Sequence, residues 1–238
     1  MCGRYTLHVA DLSELKELLG ILRVLVPDWK PRYNIAPTQD APVVVQSPQR
    51  SLVSLRWGLI PSWAESAAIG TRSINARVET IAELPTFKHA FSSRRCIVPA
   101  TGYFEWRTPG GKAPKQPMWI HPRDGVPLAL AGLWETWHSP EGEEIESFAI
   151  VTTDAIGELR EIHDRMPLEL RGEAIEAWLR PGVMSGSALA SLVQRASVEQ
   201  LEVSPVDTRV GSPFNDDPGC IAPPAADGTA AKQLGLFD

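Results

Sequence analysis

The chain has 238 residues, of which 43% are hydrophobic and 22% charged, with a net charge of −6. These are the proportions of a soluble globular protein large enough to bury a full core. No apolar run approaches the roughly 18 residues of a membrane span. The start, MCGRYTLHVADLSEL, lacks the basic region and apolar stretch of a signal peptide. Three cysteines, Cys2, Cys96 and Cys220, without a C-x-x-C pair, argue against a disulfide framework or a structural zinc site and fit a reducing cytoplasm. The charge is uneven. Residues 1–110 hold 13 Lys+Arg against 9 Asp+Glu, a net of +4, and residues 111–238 hold 10 against 20, a net of −10. Ten of the thirteen cations in the first part are arginine, which suits bidentate phosphate contacts, so a basic face on an acidic protein is compatible with the total.

Residues 11–19 read as a short amphipathic helix that Asp11 and Glu14 can cap and Gly20 can stop. Strand-like runs rich in β-branched and aromatic residues follow at 41–46, 51–60, 95–106, 118–121, 127–137 and 146–153. Helical patterns return near 154–162, 172–179 and 185–195. Strands outnumber helices and do not alternate with them, which predicts a single α+β domain, residues 2–210, built on an antiparallel sheet or barrel flanked by helices. Residues 211–238 are expected to be a flexible tail, Pro/Ala/Gly/Asp-rich and ending in QLGLFD.

Cys2 is the first candidate reactive group. Once Met1 is removed, its α-amine and thiol sit on adjacent carbons, both partly deprotonated near neutral pH. Such a 1,2-aminothiol captures aldehydes: the amine forms a Schiff base and the thiol closes a five-membered thiazolidine. Three other segments carry candidate chemistry. SINARVET (73–80) places Asn75 and Arg77 at alternate strand positions. GYFEWR (102–107) sets Glu105 among aromatics, beside Trp106, where a carboxyl tends towards a raised pKa. EIHDRMP (161–167) puts His163 beside Asp164 and Arg165.

Taken together, MCGRY, RYNIAPT (32–38), RWGLIPSW (56–63), INARVET (74–80), GYFEW (102–106) and IHDRMP (162–167) resemble the SRAP family, named for SOS-response-associated peptidase, over residues 2 to about 210. The resemblance implies a protein that crosslinks covalently to abasic sites in single-stranded DNA, through a thiazolidine on Cys2, in the DNA damage response. It implies that Asn75 orients the N-terminal residue, that Glu105 shuttles protons, and that His163 assists ring closure and reversal. Arg4, Arg77 and Arg165 become candidate phosphate contacts, and Trp63, Trp106 and Pro37 candidate supports for flanking bases. No cofactor or metal is expected, and the protein is expected to be a monomer associated with the nucleoid. Two rival readings use the same cysteine: an N-terminal-nucleophile hydrolase, and a thiol peptidase with Cys2, His163 and Glu105 that removes its own Met1. Whether a strand-cleaving lyase activity accompanies capture stays open. In the tail, Gln233, Leu234, Leu236 and Phe237 resemble the short peptide by which bacterial proteins bind the DNA sliding clamp.

Overall fold

The structure, a computed structural model, describes residues 2–108, 114–196 and 198–225. Their fourteen strands are β1 (Tyr5–Leu7), β2 (Arg23–Val24), β3 (Arg32–Ile35), β4 (Asp40–Gln46), β5 (Arg50–Trp57), β6 (Asn75–Arg77), β7 (Arg95–Ala100), β8 (Gly102–Arg107), β9 (Gln116–Pro122), β10 (Leu128–His138), β11 (Glu144–Asp154), β12 (Arg165–Pro167), β13 (Glu169–Leu170) and β14 (Leu201–Pro205). Four helices accompany them: α1 (Glu14–Leu19), α2 (Pro85–Ser93), α3 (Glu173–Leu179) and α4 (Gly186–Gln194).

Five strands close on themselves in the order β5-β4-β7-β10-β11. All these pairings are antiparallel except the closing one, where β11 meets β5 in parallel with Phe148 opposite Trp57. Closure removes the exposed edges that an open sheet would leave. Apolar residues alternate into the interior and against the helices, so that Val43, Leu52, Trp57, Ile97, Leu130 and Phe148 are all essentially inaccessible. A second, antiparallel sheet runs β14-β9-β8-β1-β3. Tyr5 on β1 packs edge-on against Trp57 of the barrel, ring centroids 5.2 Å apart, which locks the two sheets together. The expectation of an α+β domain on an antiparallel, barrel-like core is met. Among the described residues no helix is long and apolar enough to cross a membrane.

The local differences are informative. The run 95–106, expected as one strand, is two: β7 belongs to the barrel and β8 to the second sheet. The chain crosses between them at Thr101 and Gly102, and a Cβ on Gly102 would lie 2.3 Å from the Trp119 ring nitrogen, so only glycine allows this crossover. The helix expected over 154–162 is a tight turn, Gly157–Glu161, after a β11 that continues to Asp154. Helix α2, which starts on Pro85 and buries Phe87, Ala90 and Phe91, has no counterpart among the expected helices.

The expected tail boundary at 210 also moves. Residues Thr208–Gly211 and Pro218–Ile221 form turns on the outer face of the second sheet. There Cys220 and Val210 are buried with Phe104 and Val206. Asp216 accepts from the backbone N–H groups of Tyr33 and Asn34 and pairs with Arg32. Composition misled because a few apolar residues, Val210 and Cys220, and the hydrogen bonds of Asp216 hold a segment that is otherwise rich in Pro, Gly and Asp. Gln233, Leu234, Leu236 and Phe237 lie outside the described residues.

Candidate active site

The long strand β11 organises the site. Its first half lies in the barrel; its second half lies between β6, paired in parallel (Ile150 opposite Asn75), and β12, paired antiparallel (Asp154 opposite Arg165). Asn75 and His163 thus approach from opposite flanks of one strand. Across from them, β1 and β8 of the second sheet pair with Tyr5 opposite Tyr103, and the Phe104 N–H donates to the Arg4 carbonyl at 2.9 Å. That register carries the residues just before β1, Cys2 included, alongside Glu105.

Cys2 is fully buried. The Asn75 Nδ2 donates to the Cys2 carbonyl at 2.8 Å, and the Cys2 Sγ lies 3.8 Å from the Arg4 carbonyl. Burial pushes the Cys2 thiol well up and the Glu105 carboxylate pushes it further, against the pull of the chain's terminal amine. Glu105 is 4% exposed. Burial raises its carboxyl above the ordinary value, against the attraction of nearby positive groups, His163 among them. Glu105 acts on Cys2, and His163 acts on Glu105, so Glu105 links the other two. The Asn75 Oδ1 is buried with no hydrogen-bond partner among the described residues, an acceptor beside Cys2.

His163 is half-buried, and its Nδ1 has two neighbours. Asp164 Oδ1 lies at 2.7 Å and the Arg165 backbone N–H donates at 3.0 Å. With a proton on Nδ1 the ring donates to Asp164; without one it accepts from Arg165. Either state of the imidazole therefore has a partner in place.

The remaining sequence candidates divide. Arg77 is exposed and follows the buried Ala76 on β6, so it is placed to meet a ligand. Trp63 is 57% exposed and donates through Nε1 to the Pro85 carbonyl at 3.3 Å; Pro37 is half-buried in the loop after β3. Three candidates are placed otherwise. Trp106 packs with Phe104 against the Val206–Cys220 cluster, on the face of β8 opposite Glu105. Arg4 ties the N-terminal strand to the C-terminal turns, donating to Asn34 Oδ1 at 3.1 Å, the Val210 carbonyl at 2.7 Å and the Gly211 carbonyl at 3.1 Å. Arg165 is 7% exposed and paired with two carboxylates, Glu79 and Asp154. Both guanidinium groups have partners within the protein, which a count of arginines does not reveal. The sequence reading passed over Glu79, although it stands in the ARVET segment already singled out. Among the described residues no group of three or more His, Cys, Asp or Glu could hold a metal.

Comparison with known proteins fits this geometry. The family model for SOS response associated peptidase (SRAP) matches residues 1–213. The chain belongs to the SRAP family. It is 38% identical to the abasic site processing protein YoqW of Bacillus subtilis, over 93% of this chain and 99% of that one. It is 28% identical to the abasic site processing protein HMCES of Rattus norvegicus, over 98% of this chain and 81% of that one. A crystal structure of a protein from Bacteroides thetaiotaomicron superposes with a TM-score of 0.81 at 29% identity, covering 93% of this chain and 99% of that chain. The SRAP match covers every segment that carries Cys2, Asn75, Glu105 and His163.

Proposed function

We propose that this protein captures abasic sites in single-stranded DNA through a thiazolidine on Cys2. The observation that carries the reading is the Asn75 grip on the Cys2 carbonyl at 2.8 Å, within a cluster that also holds Glu105 and His163. Its SRAP relatives named as abasic site processing proteins support the same substrate.

The steps follow from the groups present. Removal of Met1 frees the α-amine of Cys2. Glu105, whose raised pKa suits it to carry a proton, passes one as the deoxyribose hemiacetal opens to its C1′ aldehyde. The amine adds to that carbon and water leaves, giving the Schiff base. The Cys2 thiol then adds to the same carbon; its proton passes to the nitrogen with His163 as carrier, and the ring closes. Reversal retraces these steps. Arg77 contacts phosphate, while Trp63 and Pro37 support bases beside the lesion.

The thiol peptidase reading needs a thiolate in the resting protein. Burial and Glu105 both disfavour one, whereas ring closure on a tethered imine uses a neutral thiol held within reach. Activity is expected at the nucleoid. The Gln233, Leu234, Leu236 and Phe237 pattern supports a second contact, with the sliding clamp; a chain ending at Ala231 should lose clamp affinity in fluorescence polarisation and keep crosslinking. The main test is incubation with single-stranded DNA bearing one abasic site, followed by a denaturing gel. A Cys2-dependent adduct is expected; none with wild type, or an equal one with Cys2→Ser, sinks the reading.

A further inference from the structure

Helix α4 borders a groove that the reaction above does not use. Ser185, Ala188, Ser191, Leu192 and Arg195 recur at steps of three or four residues, so they share one face of the helix, about 15 Å long. Arg95, at the start of β7, and Arg180, at the end of α3, line the same groove, which encloses about 390 Å³. Pro181 and Met184 add apolar surface. Another face of α4 shares a cavity with Asp154, the residue paired with Arg165 across β11 and β12. The groove therefore lies roughly one helix width, about 10 Å, from the strand that follows His163.

The charge of the groove is one-sided. Arg95 is 6% exposed, and its guanidinium donates to the carbonyls of Trp178 and Phe91, each at 2.6 Å, of Gly182 at 3.0 Å and of Arg180. These carbonyls lie at or just beyond the C-terminal ends of α2 and α3, where they supply only partial negative charge. Arg180 and Arg195 are exposed, and neither side chain has a hydrogen-bond or ion-pair partner among the described residues. No Asp or Glu is among the described residues that line the groove. In the two hollows that adjoin it, Glu176 is held by Arg50, each of its oxygens at 2.7 Å, and Glu169 is held by Arg171. Arg50, Arg95, Arg171, Arg180 and Arg195 thus stand against two glutamates, a net of +3 on a protein of net charge −6.

We propose that this groove binds the sugar–phosphate backbone of single-stranded DNA beyond the lesion, as a second contact separate from the pocket of Cys2. A cationic groove about 15 Å long with apolar surface along it can follow more than one phosphate without reading sequence, whereas a compact anion would fill one end. The contact rests on the capture function above and adds to it a path for the strand and two arginines, Arg180 and Arg195, that hold it.

Fluorescence polarisation of two intact single strands, about 8 and about 30 nucleotides long, tests this with the full chain, the shorter matching one site and the longer able to span two. Arg180 and Arg195 are replaced together by alanine or together by lysine; Arg95 stays, because four carbonyls depend on it. Losing two phosphate contacts on a single strand should lower the slope of log affinity against log salt by about 1.4. The alanine pair should therefore bind the long strand about 25-fold more weakly at about 0.1 M salt, taking the contacts to vanish near 1 M. The lysine pair should keep most of the slope, because it keeps both charges. On the short strand both pairs should stay within about 2-fold of wild type, as expected of sites that do not couple. Replacing the exposed Arg23 and Arg123 by alanine removes the same charge elsewhere and should leave the long-strand slope unchanged. Wild-type binding of the long strand by the alanine pair overturns the assignment, as does an equal loss on both strands. A wild-type dimer in sedimentation that the alanine pair lacks also overturns it, since the groove would then hold a second copy. Because these strands carry no abasic site, failure to form an adduct is a separate result, and it removes only the capture reading.

Discussion

The side-chain amide of Asn75 donates to the carbonyl of Cys2 at 2.8 Å across 73 residues of sequence. An aminothiol at a chain terminus is free to rotate, and a hydrogen bond to its own carbonyl is an economical way to aim both nucleophiles. Asn75→Asp places carboxylate oxygens against that carbonyl and removes the donor. Single-turnover adduct formation should fall by about 10-fold or more, while the melting temperature drops only by the equivalent of about 1–3 kcal/mol, the cost of a buried group left unmatched.

Glu105 ties function to instability. Burial raises its carboxyl pKa in the folded state above the ordinary value of 4.5, so the folded protein holds this proton more tightly than the unfolded chain. Its contribution to stability is fully present below about pH 4.5 and is lost as pH rises through the folded value. Glu105→Gln should therefore melt higher than wild type at pH 8, with the gap closing as the pH falls towards 4.5, and should form adduct far more slowly. Thermal melts across pH check the first half and gel assays the second. A wild type more stable than Glu105→Gln at pH 8 contradicts this account.

The two arginines Arg77 and Arg4 should separate by salt dependence. Arg77→Ala should weaken capture and lower the slope of log affinity against log salt by about 1. Arg4→Ala should leave the slope unchanged and destabilise the fold, since its three acceptors, Asn34, Val210 and Gly211, lie within the protein. The finished adduct should survive high salt in both.

Gly58, between Trp57 and Leu59, has φ +120°, and a Cβ there would lie 2.6 Å from the Gly70 carbonyl oxygen. Gly58→Ala should destabilise by more than about 1 kcal/mol, measured by urea unfolding. Because the Gly58 N–H also donates to the Phe148 carbonyl where the barrel closes, adduct formation should slow as well.

The sequence made the barrel and the four-residue site legible for different reasons. Runs such as 127–137 and 146–153 are apolar enough to announce themselves, and they became β10 and β11. Cys2, Asn75, Glu105 and His163 stand out together through the six motifs shared with the SRAP family; taken singly, Glu105 and His163 read equally well as structural residues. What stayed hidden depends on pairing. Nothing local to 95–106 shows that Thr101 passes the chain from one sheet to another. Arg4 and Arg165 are arginines like Arg77 until their acceptors are known. Trp106 differs from Glu105 by one position, and one position in a strand is the opposite face. Residues 211–222 look like a linker because Asp216 and Cys220 are held by distant partners, Arg32 to Asn34 and Phe104, that composition does not encode.

The central claim is that the terminal amine and the thiol of Cys2 act together. The most direct measurement compares mature protein with a variant carrying extra, unprocessable residues before Cys2, each incubated with abasic single-stranded DNA and resolved on a denaturing gel, with the crosslinked peptide mapped by mass spectrometry. The account predicts a heat-stable adduct at an N-terminal Cys2 in the mature protein and none in the extended variant, although its thiol is intact. An extended variant that crosslinks as well as the mature protein would contradict it.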